Sequence, residues 1–155
     1  MLKPDKLRQA LTAGIAQLKT HPDKLRIFIE KGGVRSTAAH SLSFEYAYTL
    51  VIFVEDYEGH PDTLFVPVLA WLRVNQPELL LHPDRQKDGI SFEAEILNHN
   101  SADIEIKLNL TERVLVSEDK ATGRCTVSHI GEPPLPLADD GIAWQLVFEN
   151  DVIRE

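Results

Sequence analysis

The chain has 155 residues, 43% of them apolar, which fits one ordinary domain that buries its own core. Its formal net charge of −8 argues against sequence-independent binding to nucleic acid, which needs Lys and Arg massed on one surface, and nothing suggests a sequence-specific reader. The single cysteine, Cys125, cannot form an intramolecular disulfide. Without a signal pattern or a long apolar run, we expect a cytoplasmic protein that does not contact membranes.

The first half of the chain predicts one helix followed by two strands. The helix runs from about Pro4 to Lys19, and its apolar residues recur at helical spacing. A strand follows from Lys24 to Glu30, where every second residue is apolar. The stretch SFEYAYTLVIFVE then has apolar residues on both faces, which is typical of a central strand.

A second helix is predicted from about Thr63 to Gln76, and apolar residues surround most of it. One stripe is expected to face the core: Leu64, Phe65, Val68, Leu69 and Leu72. Trp71 and Val74 fall outside that stripe, so we expect them to contact a further layer. That layer is either the chain's own tail or another subunit, and the sequence leaves both open.

Two more strands follow a loop over residues 78–89. Residues 90–96 alternate between apolar and polar, a turn follows at residues 98–101, and residues 102–116 alternate again. The order α-β-β-α-β-β predicts an α+β fold with two layers: a four-stranded, mainly antiparallel sheet with both helices on one face. Four carboxylates then share the other face of the sheet, where a solvated surface is the ordinary interpretation: Glu93, Glu95, Asp103 and Glu105.

The character of the sequence changes beyond residue 118, so the predicted organisation has three parts. Residues 1–118 form the α+β domain, and residues 119–141 form a linker that includes the stiff stretch EPPLP. Residues 142–155 form a terminal strand or hairpin with three large apolar side chains on one side, Trp144, Leu146 and Phe148. Such a strand pairs either within its own subunit or with a neighbouring subunit, and the sequence does not decide between these.

The sequence offers no candidate for catalysis, for a cofactor or for a metal. Its six histidines include no pair at i, i+4 spacing, and there is no H-E-x-x-H. It contains no G-x-S-x-G and no glycine-rich phosphate loop, and Cys125 has no base beside it. We therefore expect no enzyme activity, no cofactor and no metal.

Six segments together resemble the tail completion protein R (GpR) family of P2-like contractile-tailed phages and prophages. They are MLKPDKLRQALT, THPDKLRIFIEKGG, SLSFEYAYTLVIFVEDYEG, VPVLAWLRVNQP, LTERVLVSE and EPPLP. The resemblance extends from Met1 to about Pro136, and it is weaker at residues 82–88 and 137–155. It implies a virion structural protein without catalytic residues that completes the tail, related to terminators that cap a tail tube as a ring.

If that implication holds, the partners are other copies of the chain in a ring such as a hexamer, the tail tube, and other tail completion or head-tail connector proteins. The protein then lies in the host cytoplasm during assembly and afterwards in the virion tail. Trp71, Val74 and the three apolar residues of the terminal strand become candidate interface residues. The four carboxylates become candidates for lining a DNA channel. The alternative is a small monomeric assembly chaperone or enzyme of tail morphogenesis.

Overall fold

The computed structural model describes residues 1–36 and 40–133 of the chain. Its helices are α1 (Lys3–Gly14), α2 (Ala16–Thr20), α3 (Asp62–Asn75), α4 (Glu78–Leu81) and α5 (Pro83–Gly89). Its strands are β1 (Leu25–Ser36), β2 (Phe44–Tyr57), β3 (Ile90–Ile96), β4 (Ala102–Asp119) and β5 (Arg124–Ile130). A single 3-10 turn, Pro22–Lys24, leads into β1.

All five strands form one antiparallel sheet with the order β1-β2-β4-β3. The strand β5 pairs with the last part of β4, from Arg113 to Asp119. Because Val114 pairs with Phe44 of β2 and also with His129 of β5, β5 lies on the edge of β4 that faces away from β2. The strands β3 and β5 therefore follow one another along the same edge of β4.

The core lies between one face of this sheet and the helices, and we call that face the helix side. Alternate residues of β2 and β4 point to it, as the strand period of two requires. The core residues from both layers belong to one cluster: Leu7, Leu11, Leu50, Ile52, Leu64, Val68, Leu72, Ile104, Ile106 and Leu108. The predicted fold class, α+β with an antiparallel sheet covered on one face, is confirmed.

One end of the sheet extends past the helices, and we call it the projecting end. It comprises Lys31–Ser36 of β1, Phe44–Ala47 of β2, Arg113–Asp119 of β4 and all of β5. The sheet register places apolar residues on its helix side, yet several are open to solvent, with Val34 62% and Val127 60% exposed. The helix layer stops before this end, so some of its apolar side chains have no cover among the described residues, although Val114 is 2% exposed.

Three details of the chain differ from the sequence prediction. The first helix breaks at Ile15, whose extended backbone separates α1 from α2. The predicted loop at residues 78–89 contains α4 and α5. Residues 124–130, expected within the linker, form β5, because β4 runs on to Asp119 and its exposed edge groups take a partner.

The position of Trp71 is a correction. Trp71 is 8% exposed and belongs to the core cluster, so its placement beyond the two-layer core was wrong. The buried stripe of α3 is Leu64, Val68, Trp71 and Leu72, whereas Leu69 is 40% exposed. The helix is rotated about its axis from the predicted orientation. Apolar residues lie on nearly all of its sides, so their spacing does not identify the side that faces the core.

Two predictions concern residues that the structure does not describe. The terminal strand at residues 142–155, with Trp144, Leu146 and Phe148, lies outside the described residues, as does most of the proline-rich segment. Whether this strand pairs within its own subunit or on a neighbouring one stays a prediction.

The turn at residues 98–101 is described and confirmed, with the Asn98 side chain accepting hydrogen bonds from the backbone N–H groups of Asn100 and Ser101.

Candidate interaction surfaces

The four predicted carboxylates lie together on the face of the sheet opposite the helices, which we call the far side. Glu93 pairs directly with Glu105 across the β3–β4 ladder, and Glu95 pairs with Asp103. Like charges at directly opposed positions destabilise a sheet. Asp103 also has a local task, since its Oδ1 accepts a hydrogen bond of 2.7 Å from the backbone N–H of Asp56, a residue with φ 49°. These residues form one acidic patch at the β3 edge.

The same far side carries cations towards the other edge of the sheet. Lys107 of β4 donates to Glu30 with an Nζ–Oε1 distance of 3.0 Å, and this hydrogen bond raises the pKa of Lys107. Arg26 of β1 lies over the ring of Phe53, 4.6 Å from its centroid. Lys31 and Arg35 extend the basic character along β1. The β1 edge therefore carries three cations, Arg26, Lys31 and Arg35, and one carboxylate, Glu30, which is paired with Lys107, whereas the β3 edge is acidic.

A polar network ties the amino terminus to the sheet where the helix layer stops. Lys3 is only 8% exposed, and its Nζ donates to Gln76 Oε1 at 2.5 Å, to the carbonyl of Thr111 at 2.6 Å and to Glu132 Oε1 at 3.2 Å. Burial lowers the pKa of Lys3, against the attraction of the neighbouring carboxylates. Since the bonds connect α1, the end of α3, β4 and the segment after β5, the network fixes these parts of the chain to one another.

Glu112 is the second buried charge of this network, with 5% exposure. One carboxylate oxygen accepts hydrogen bonds from the backbone N–H groups of Leu2, at 2.7 Å, and Lys3, at 3.2 Å. The other accepts from the Tyr48 hydroxyl at 2.7 Å. Burial raises the pKa of Tyr48, and the bond to Glu112 raises it further. The sequence analysis did not predict this network. One signal was present, because Glu112 is a charged residue on the otherwise apolar helix side of an alternating strand.

Exposed apolar side chains form a patch between α3 and the β3 edge. The rings of Phe65 on α3 and Phe92 on β3 meet edge to face, with their centroids 5.1 Å apart. Around them, Leu69 is 40%, Phe92 60% and Ile96 81% exposed. Val74, a predicted interface residue, is 60% exposed on α3. Exposed apolar groups that lie together, as Phe65 and Phe92 do, usually mark a surface that contacts another protein, whereas Val74 lies on the opposite side of α3.

A groove of about 740 Å³ crosses the far side between α5 and the projecting end. Its floor is made of small and polar residues such as Gly33, Ala47 and Asn109, and its walls carry Arg35 and Asp88. The residues lining it include neither His nor Cys. Within residues 1–36 and 40–133, no group of three or more His, Cys, Asp or Glu side chains is arranged to hold a metal ion. In that part of the chain, no helix combines the length and apolar character needed to cross a bilayer.

These surfaces define a class of protein: a small α+β domain whose notable features are exposed apolar and charged patches. Comparison with known sequences gives the family. The family model for P2 phage tail completion protein R (GpR) matches residues 1–133. The chain is 54% identical over 136 residues to the tail completion protein R of Escherichia phage P2, covering 88% of this chain and 86% of the relative.

This chain therefore belongs to the P2 phage tail completion protein R family, and the resemblance seen in its sequence is confirmed. The family is one of structural proteins, so the chain is not an enzyme. No solved structure matches it.

Proposed function

We propose that this protein completes the tail of a P2-like phage by capping the end of the tail tube as a ring, which readies the tail for joining to the head. The observation that carries the proposal is the 54% identity to a protein named for tail completion, over most of both chains. On this proposal the protein acts in the host cytoplasm during assembly and remains in the virion tail. Its partners are further copies of itself, the tail tube, and other tail completion or head-tail connector proteins.

Two features of the molecule support a ring. The sheet has three edge strands, β1 on one side and β3 and β5 on the other, and no described strand pairs with the outer edge of β1 or β3. The apolar patch beside β3 and the bare helix side of the projecting end lie at different places on the molecule. Contact between two different surfaces of identical chains is heterologous, and heterologous contacts generate closed rings when the rotation closes.

The proposal is tested on phage that lack the protein. Electron microscopy of a null mutant should show tails that are overlong, or of normal length but not joined to heads. Complementation with the wild-type chain should restore joined particles of normal length. Tails without baseplates would contradict the proposal, because the defect would then lie at the opposite end of the tail.

The acidic patch has a specific place in the proposed ring: Glu93, Glu95, Asp103 and Glu105 line the channel through which DNA passes. Like charge keeps DNA sliding, whereas Lys and Arg on the wall release counterions and retain it. Replacing Glu105 of β4 with Lys, with Glu93 and Glu95 at the β3 edge left unchanged, should leave assembly near normal while DNA ejection slows in a salt-dependent way. An unchanged ejection rate would contradict the channel position.

A further inference from the structure

The strands β1 and β3, which lie on opposite edges of the sheet, have unpaired lengths of similar size. The outer side of β1 is partly occupied at its start, where Arg8 of α1 donates to the carbonyls of Leu25 and Ile27. From Phe28 to Arg35 no strand of the described chain pairs with it. The outer edge of β3 lacks a strand partner over Ile90–Ile96, and all but the first of these residues are exposed. Natural proteins rarely leave such edges bare.

The helix side is apolar at both edges. On β3 this side carries Phe92, Ala94 and Ile96, which pair with the core-facing residues of β4. On β1 it carries Ile29, 36% exposed, and Val34, 62% exposed. A strand laid beside either edge would bury these side chains if its own apolar residues pointed the same way.

The far side carries opposite charges at the two edges. On β1 it presents Arg26, Lys31 and Arg35, which the register with β2 places on the same side as Thr49 and Phe53. On β3 it presents Glu93 and Glu95. The two edges are therefore complementary. Both are apolar on the helix side, and on the far side the cations of β1 would face the carboxylates of β3. Opposite charges at directly opposed or diagonal cross-strand positions stabilise a sheet.

We propose that β1 of one copy pairs with β3 of the next, so that the sheet continues from subunit to subunit around the ring. This rests on the proposed ring and names its contact. Within one chain β1 and β3 are antiparallel, since each of the three ladders between them is antiparallel. A rotation about an axis along the strands preserves strand direction, so β3 and the neighbour's β1 also meet antiparallel. Every subunit then offers one edge and receives the other.

The arginine at the start of β1 sets where the strands meet. Because Arg8 occupies the carbonyls of Leu25 and Ile27, the neighbour's β3 pairs further along, between Phe28 and Arg35. In the sheet register, Phe92 stands level with Ile27. The contact therefore shifts one subunit along its neighbour by several residues, and such a stagger is what a sheet needs when it closes on itself.

The chain's own carboxyl-terminal segment is the competing occupant of the β1 edge. Residues 134–155 carry five acidic residues and one basic residue, a net charge of −4, and also suit the cations of β1. The terminal segment of one chain can pair with only one edge, however, and its negative charge disfavours the β3 edge, which carries Glu93 and Glu95. A second copy satisfies both edges at once, which favours the neighbouring subunit.

The first test measures mass by light scattering over a range of concentrations for the full chain. Reversing the basic edge with Lys31→Glu and Arg35→Glu should weaken self-association by about tenfold, as expected when two cross-strand pairs change from attraction to repulsion. Adding Glu93→Lys and Glu95→Lys to the same chain should restore it, because the edges are complementary again. Lys6→Glu with Lys19→Glu makes the same charge change on exposed helix positions and should leave the mass unchanged.

The second test identifies the occupant with a short cysteine-to-cysteine cross-linker. In a Cys125→Ser background, the double variant Val34→Cys, Phe92→Cys should give a ladder of linked chains. The pair Val34→Cys, Lys19→Cys is the control and should give none, because Lys19 is exposed on α2, which leads into β1 and not into β3. Absence of the ladder in an oligomeric sample would assign the β1 edge to another occupant and overturn the contact.

The outcomes separate the contact from the ring. An oligomer that keeps its mass after the Lys31 and Arg35 reversals overturns the β1–β3 contact and leaves the ring standing. A wild-type chain that stays monomeric at every concentration overturns both. A mass that falls with the reversals and returns with the four-residue exchange supports both.

Discussion

The two halves of β4 both alternate between apolar and polar residues, but the helices cover the first half more fully than the second. In the first half, Ile104 and Ile106 are 1% and 0% exposed beneath α1 and α3. In the second half, Val116 is half-buried, and Val127, which pairs with it on the same side of the sheet, is 60% exposed. Alternation therefore reports which side of a strand is apolar, and the presence of a second layer decides whether that side is buried.

The comparison assigns different roles to the halves. The covered half holds the fold together, because burial of large apolar side chains is the main favourable contribution to folding. The projecting end adds strands and exposed apolar surface without a covering layer of its own. Substitutions should therefore separate stability, which belongs to the covered half, from assembly, which belongs to the exposed edges and the projecting end.

The largest expected effect comes from a matched pair of substitutions on β4. Leu108→Ala removes a side chain with 0% exposure from the core and should lower the free energy of unfolding by about 2–5 kcal/mol. Leu115→Ala makes the same change on the far side of the projecting end, at 48% exposure, and should cost less than about 1 kcal/mol. Urea unfolding followed by circular dichroism, at low protein concentration, measures both.

Equal losses for Leu108→Ala and Leu115→Ala would break the comparison. Such a result would mean that the far side of the projecting end is covered in solution as fully as the core. Repeating the Leu115→Ala measurement at high concentration sharpens the point, because a contact between subunits adds stability only when the subunits are associated.

The next effect concerns the buried ion network at the boundary between the two halves. Lys3→Met removes the only described cation that bonds to Glu132, and it leaves the oxygens of Gln76 and Thr111 without that donor. Removing one member of a buried charge network should cost about 3 kcal/mol. Lys6→Met, at an exposed position of the same helix, should change the free energy of unfolding by less than about 0.5 kcal/mol. Indistinguishable denaturation midpoints would show that the network does not stabilise the fold.

The sequence predicted most of the fold for a physical reason. Alternation in strands has a period of exactly two, so each of β2, β3 and β4 assigns its own faces, and the positions of Glu93 and Glu105 followed correctly. The rotation of α3 could not be predicted, because Val66, Leu69, Trp71 and Val74 make nearly every side of that helix apolar. The partners of Lys3 were equally out of reach, since they lie 73 to 129 residues away along the chain. Glu112 gave a usable signal, a charge on the apolar side of a strand.

The smallest expected effect is a change of stability at alkaline pH, and it again concerns the boundary between the halves. Burial and the hydrogen bond to Glu112 raise the pKa of Tyr48 above its ordinary value of 10.0. Above pH 10 the unfolded chain releases this proton while the folded chain keeps it. The folded state then binds more protons than the unfolded state, so its stability falls as the pH rises.

Tyr48→Phe isolates that contribution. The variant should be less stable at neutral pH, because Glu112 loses the donor at its second oxygen, a loss of about 1 kcal/mol. Between pH 9 and pH 11, however, its stability should fall less than that of the wild type, by a margin of about 1 kcal/mol. The lowered pKa of Lys3 acts in the opposite direction, but it is common to both chains and leaves their difference. Urea midpoints at the two pH values measure the margin, and parallel curves would show that Tyr48 ionises in the folded protein as it does in water.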